Sequence, residues 1–232
     1  MSKVAVIVGV GPGNGAAFAR RFTAEGYAVA LLARDEARLV EFEKEISGSK
    51  AYACDVTEPA EIKAVFAAIT ADLGPVDMLL YNAGAGSWST PDETTAEDME
   101  RSWRINALGC LLAAQEVAPA MREAGAGAIV VIGATASKRG GVRTTAFASA
   151  KAAQLSLAQS MAKHWGPDGI HVAYLVIDGV IDLPRTRDAM PDAPDSFFLK
   201  PADIAETVYT IAHQPKSAWT FELDIRPFGE KW

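Results

Sequence analysis

A run of glycines, Gly9-Val-Gly11-Pro-Gly13-Asn-Gly15, directly follows the apolar segment Val4–Val8 and leads into an amphipathic stretch from Ala16 to Glu25. Between a strand and a helix, such a run lets the backbone approach a pyrophosphate closely. The helix N-terminus then supplies unpaired N–H groups and positive potential. Glycines also serve plain tight turns that need positive φ, and it is the placement between first strand and first helix that favours nucleotide binding. The next apolar segment ends at Ala33-Arg34. A carboxylate there would accept hydrogen bonds from the ribose hydroxyls of NAD. Alanine instead leaves room, and the Arg34 guanidinium can pair with a 2′-phosphate, so NADP is the expected cofactor, with NADPH preferred over NADH. The competing reading has Arg34 solvate a loop beside Asp35 or Glu36.

Phe147 and Lys151 lie four residues apart, a spacing that puts both on one face of a helix. The hydroxyls of Thr135, Ser137, Thr144 and Thr145 lie near in sequence, and loop hydroxyls more often bond nearby backbone than act as general acids. Asp178 and Asp182 flank a glycine and could act as acid and base. The preferred reading is plainer: Asp178 makes a turn and Asp182 caps the helix that follows. Lys138, Arg139 and Arg143 form a basic loop read as solvation, although they could draw in an anionic substrate. His164, His171 and His213 have no ligand spacing, so no metal site is expected.

These residues must be held by a frame. Apolar runs at Val4–Val8, Tyr27–Ala33, Ala51–Cys54, Val76–Tyr81, Ala128–Ile132, Ile170–Ile177 and Trp219–Arg226 read as strands. Several show no alternation, as in strands covered on both faces. Helix-period stretches lie between them at Glu36–Ile46, Pro59–Leu73, Glu97–Met121 and Phe147–Trp165, and a last helix begins near Pro201. That order gives an α/β fold of the Rossmann type, a doubly wound and mostly parallel seven-stranded sheet with helices on both faces. The 232 residues are read as one domain. Residues 182–200, with Pro184, Pro191 and Pro194, break the rhythm and are read as a lid over a substrate. A net charge of −7 argues against nucleic acid and anionic membranes as partners. Only Cys54 and Cys110 occur, and neither a membrane span nor a signal peptide is read, so a cytoplasmic protein is expected.

With these motifs in place, the chain resembles the short-chain dehydrogenase/reductase family over essentially its whole length. The glycine spacing fits, with Val8 where threonine is usual. Asp55, in Cys54-Asp55-Val56, matches the acidic residue that contacts adenine in the family, and Val56 goes with it. Tyr81-Asn82-Ala83-Gly84 is similar to the family's Asn-Asn-Ala-Gly, and Asn106 falls where the family keeps an active-site asparagine. The resemblance implies cofactor contacts at Asn82, Ala83, Gly84, Ile181 and Lys151, the last gripping the nicotinamide ribose. It also implies a homodimer or homotetramer through the two long helices, and a small-molecule substrate. The family's Tyr-xxx-Lys is here Phe147-Ala-Ser-Ala-Lys151, and Ala134 stands where its serine is expected. The implied activity is therefore oxidoreduction of a small carbonyl, alcohol or activated alkene with an altered proton donor: Phe147 has no proton to give, and Lys151 itself, or a water held by Lys151 and Asn106, is the better candidate source. The alternative is an NADP(H)-binding sensor or scaffold without catalysis.

Overall fold

A computed structural model describes residues 2–230; the first and last two positions of the expected domain, Met1, Lys231 and Trp232, lie outside the described residues. Seven strands form one parallel sheet in the order β3-β2-β1-β4-β5-β6-β9. They are β1 (Val4–Val8), β2 (Ala28–Ala33), β3 (Ser49–Ala53), β4 (Met78–Tyr81), β5 (Gly127–Ala134), β6 (Ile170–Ile177) and β9 (Glu222–Ile225). The helices between them are α1 (Asn14–Ala24), α2 (Glu36–Glu45), α3 (Pro59–Leu73), α4 (Ala96–Trp103), α5 (Gly109–Ala124), α6 (Thr145–Trp165) and α8 (Pro201–Ala212).

The continuous apolar runs are explained by a core on each face. Val4, Val6 and Val8 of β1 pack toward α3, α5 and α6, while Ala5 and Ile7 pack toward α1 and α8. Every β1 side chain is thus buried, which leaves no polar position to alternate. Val8 is in register with Leu32 on one side and Tyr81 on the other, so the three strands end level. The strand order reverses at β1 and β4, and their carboxyl ends therefore open the crevice where ligands of doubly wound sheets sit.

Three expectations about elements need correction. The helical stretch Glu97–Met121 is not one helix: a π-turn, Arg104–Leu108, separates α4 from α5. Its extra residue rotates Asn106 inward without changing the composition of the stretch. The last strand is shorter than Trp219–Arg226, because Trp219 leaves the sheet to stack on His171 with ring centroids 4.8 Å apart. Asp182 does not cap a helix. Leu183 precedes α7 (Pro184–Ala189), Thr186 Oγ1 accepts from its backbone N–H, and Asp182 forms a two-point ion pair with Arg187. Residues 180–199 hold α7 and a two-stranded ribbon of β7 (Val180–Ile181) and β8 (Phe198–Leu199). No helix of the described residues is long and apolar enough to cross a membrane.

Candidate active site

A cleft of about 1170 Å³ runs along the carboxyl ends of β1, β2, β4 and β5. At its centre lies the glycine turn, and the structure shows why glycine is required there. Gly9 has φ +92°, and a Cβ on it would lie 2.4 Å from the Ala83 backbone nitrogen. A Cβ on Gly15 would lie 2.6 Å from Val10 Cα, and one on Gly13 would meet Leu183 Cδ2 at 2.4 Å. Gly11 alone faces open space, so a side chain there would project into the cleft. Asn82 fixes the turn from β4, its Nδ2 donating to the Gly9 carbonyl at 2.7 Å. Helix α1 follows Gly13, which gives no side-chain cap, and has no acid in its first turn, which leaves its N-terminal positive potential uncompensated. Asn14 is 7 % exposed and its Oδ1 has no partner, a buried acceptor facing the same cleft.

At one end the cleft is lined by Ala33, Arg34, Asp35, Arg38, Asp55 and Val56. Among the described residues no carboxylate lies within ion-pair distance of Arg34, because Asp35 is spent on the backbone N–H of Arg38 at the start of α2. Burial would raise the Asp55 carboxyl, yet it is held below its usual range by hydrogen bonds from the Thr57 backbone and hydroxyl. In a chain of net charge −7, the cleft gathers Arg34, Arg38, Arg139, Arg185 and Lys151 against only Asp35 and Asp55. That imbalance suits a polyanion.

At the other end, Phe147 and Lys151 face the cleft from α6. The Phe147 side chain packs over Gly86, where a Cβ would lie 2.5 Å from Phe147 Cβ and 2.9 Å from its ring Cδ2, and the ring centroid lies 5.7 Å from that of Trp88. Lys151 is 4 % exposed; its Nζ donates to Ile132 O at 2.8 Å and to Gln154 Oε1 at 2.9 Å. Desolvation pushes this amine down to about 8. Asn106 does not line the cleft. It is fully buried one layer behind Gly84, with Nδ2 donating to Ala85 O and Ser102 O and Oδ1 unpartnered. A Cβ on Gly84 would lie 3.3 Å from that Oδ1 and 3.4 Å from Lys151 Nζ, so both atoms border one small space.

The remaining candidates fall into place by their partners. Gly9, Gly11, Gly13, Asn14, Gly15, Arg34, Asp55, Val56, Asn82, Ala83, Gly84, Phe147, Lys151 and Ile181 all line the one cleft. Asp178 and Asp182 do not. Asp178 accepts from Thr135 Oγ1 at 2.5 Å and faces Arg226 at 3.7 Å, while Asp182 is held ionised by Arg187. Of the basic loop, Lys138 pairs with Glu222 and Arg143 with Trp88 O and Glu93, which leaves Arg139 on the cleft wall. The nearby hydroxyls are occupied: Ser137 by Tyr174, Thr144 by Gly141 N, and Thr145 by Ser89 O. Sequence reasoning missed Gln154, whose one signal was a polar residue three positions after Lys151 in an otherwise apolar helix face.

The fold and the cleft agree with what this chain is similar to. A sequence profile described as short chain dehydrogenase matches residues 3–192, and the chain belongs to the short-chain dehydrogenase/reductase family of oxidoreductases. It is 33% identical over 229 residues to a 7alpha-hydroxysteroid dehydrogenase of Escherichia coli, covering 94% of this chain and 89% of that one. Among solved structures, a short-chain dehydrogenase from Rhodopseudomonas palustris superposes with TM-score 0.84 at 33% identity, over 97% of this chain and 99% of that one. An alcohol dehydrogenase from Thermococcus sibiricus, complexed with 5-hydroxy-NADP, gives TM-score 0.88 at 26% identity over 100% and 99%.

Proposed function

We propose that the protein is an NADP(H)-dependent oxidoreductase for a small carbonyl, alcohol or activated alkene, in which Lys151 takes over the proton transfer. The observation that carries this reading is the buried Lys151 ammonium at the end of a cationic, glycine-floored cleft, one helical turn from a phenylalanine that cannot donate. The first turn of α1 without a side-chain cap, the unpartnered Asn14 Oδ1 and the open face at Gly11 fit a dinucleotide. Gly9, Gly11, Gly13, Asn14 and Gly15 would hold its pyrophosphate, and Arg34 its 2′-phosphate, which is the basis for NADPH over NADH. Asp55 and Val56 would border the adenine. Asn82, Ala83, Gly84, Ile181 and Lys151 would border the nicotinamide half. When bound, the nicotinamide supplies or accepts the hydride.

The chain's own residues handle the rest. Two of the three Lys151 N–H donors are committed to carbonyl oxygens, which leaves one for the cleft. In the reducing direction that N–H would give its proton to the developing alkoxide, directly or through a water shared with Asn106 Oδ1. An amine pushed to about 8 exchanges this proton with solvent near neutral pH. Asn106 would act by holding the Ala85 carbonyl and so the wall after β4. Phe147 and Trp88 would form the apolar face against which the substrate lies. Residues 182–200 would cover it as a lid of a single cytoplasmic domain. Exposed Met99 and Trp103 on α4 support a homodimer or homotetramer.

A second reading, an NADP(H)-binding sensor without turnover, is favoured by the neighbouring hydroxyls being bonded elsewhere and by Ala134 and Phe147 offering none. The deciding experiment is NADPH oxidation with butanedione, 4-nitrobenzaldehyde and cyclohexenone, for the wild type and Lys151→Ala. Turnover that collapses in the variant supports the enzyme. Turnover unchanged by the substitution overturns the role of Lys151, and none with any probe favours the sensor.

A further inference from the structure

Beneath Lys151 lies a buried polar cluster that the reaction described above does not use. Gln154 on α6, Ser137 in the turn after β5 and Tyr174 on β6 are 0 %, 5 % and 1 % exposed. The bonding pattern fixes the Gln154 carboxamide. Its Nε2 donates to Asn106 O at 2.7 Å, and its Oε1 accepts from Lys151 Nζ at 2.9 Å and from the Tyr174 hydroxyl at 3.2 Å. The opposite orientation would set an NH2 against an ammonium and two oxygens against each other. Tyr174 is held in turn by Ser137 Oγ at 2.7 Å, which accepts from Ala134 N. Gly133 makes room for the ring, since a Cβ there would lie 2.2 Å from Tyr174 Cε1. Four elements thus converge to place one amide oxygen on one ammonium.

We propose that Gln154 is a positioning residue for Lys151: its carboxamide ties the ammonium to the π-turn beside Asn106 and holds it charged at the end of the cleft. The physical basis is that burial opposes the charge, while a carbonyl dipole aimed at the nitrogen favours it. Among the described residues, only Ile132 O and Gln154 Oε1 offer such a dipole at hydrogen-bond distance. The titratable groups facing Lys151 from the packed elements are Cys110 on α5 and Tyr174 on β6. Burial pushes both up, the thiol to about 12, so neither supplies a countercharge near neutral pH. Gln154 also links Lys151 to the π-turn that carries Asn106, through the Asn106 carbonyl.

This inference rests on the reading of Lys151 as the working amine, but its test does not depend on cofactor or turnover. Protein carrying [ε-13C]lysine is titrated by NMR, with the Lys151 signal assigned by its absence in Lys151→Met. Gln154→Met, which removes the amide but keeps the bulk, is expected to lower the Lys151 midpoint by about one pH unit, the scale of one hydrogen bond to a charge. A merely structural glutamine would change thermal stability and leave the midpoint in place, and that result overturns the proposal. Should Gln154→Met fail to fold, the wild type decides alone. A through-hydrogen-bond coupling between 15Nζ of Lys151 and the side-chain carbonyl carbon of Gln154 is expected, and its absence refutes the contact. A shifted midpoint in a protein that binds no NADPH would uphold the anchor and sink the functional reading.

Discussion

Phe147 and Lys151 stand one turn apart on α6 and face the same cleft, yet their surroundings diverge. The phenyl ring lies at the mouth against Trp88, whereas the amine is drawn in to the Ile132 carbonyl at 2.8 Å. Replacing Phe147 by tyrosine would add a hydroxyl at the rim of the cavity on the helix face that already carries the amine. With Ala134→Ser to steady the substrate oxygen, Phe147→Tyr is expected to raise turnover by up to about 10²-fold, the lower bound for a positioned proton donor. Steady-state kinetics on the double variant checks this, and an unchanged or lower rate would show that Lys151 already does all the proton work.

Lys151→Ala is expected to cut NADPH-dependent turnover by about 10²–10⁴-fold. Comparing kcat with the NADPH Kd separates the lost proton from any weakened hold on the cofactor. A weakened Kd with kcat unchanged at saturating NADPH would make Lys151 a binding residue only.

The same lysine leaves a signature in stability. Its pKa in the folded protein is about 8 against the ordinary 10.5, so between these values the unfolded chain binds more protons. Stability therefore rises with pH across that window, and the burden of burying the charge is fully present below it. The two values imply a burden of about 3 kcal/mol at neutral pH. Chemical denaturation from pH 7 to 10.5 should show the wild type gaining on Lys151→Met by about that amount. A difference independent of pH would mean that the amine is not buried in solution.

Much of this was legible in the chain because short-range rules dictate it. The β1 run with no polar position, the glycine turn and the β2 end at Ala33-Arg34 read as they fold, since burial on both faces and a backbone at φ +92° each demand a narrow set of residue types. The π-turn was invisible, because one inserted residue leaves the apolar composition of Glu97–Met121 unchanged while rotating Asn106 behind Gly84. The fate of Asp182 was equally hidden: aspartate before a helix signals a cap, and only the fold brings Arg187 round to take it. Gln154 left only its spacing from Lys151 as a signal, since its other partners, Asn106 and Tyr174, lie 48 and 20 positions away.

Gly9→Ala should be among the most damaging small substitutions. It combines a positive φ with a Cβ placed 2.4 Å from the Ala83 backbone, where nothing flexible can yield. A loss of about 2–4 kcal/mol is expected from strain and overpacking together, with cofactor binding lost as the turn shifts. Gly11→Ala, facing open space, should retain stability but impair NADPH binding. Thermal melts paired with binding assays distinguish the two, and equal destabilisation would refute the distinction.

Arg34→Ala should weaken NADPH by about 10–100-fold, the worth of one charge-assisted contact, and leave NADH nearly unchanged. Comparable losses for both cofactors would place Arg34 elsewhere than at a 2′-phosphate.

The most direct test of the whole account is a titration of the wild-type protein with NADPH and with NADH, read by energy transfer from tryptophan to the reduced nicotinamide, with Trp88 on the cleft wall as a built-in donor. Micromolar binding of NADPH with much weaker NADH is the result expected from the glycine turn and Arg34. Binding of neither would contradict the account at its root, leaving the fold without the cofactor on which every step proposed here depends.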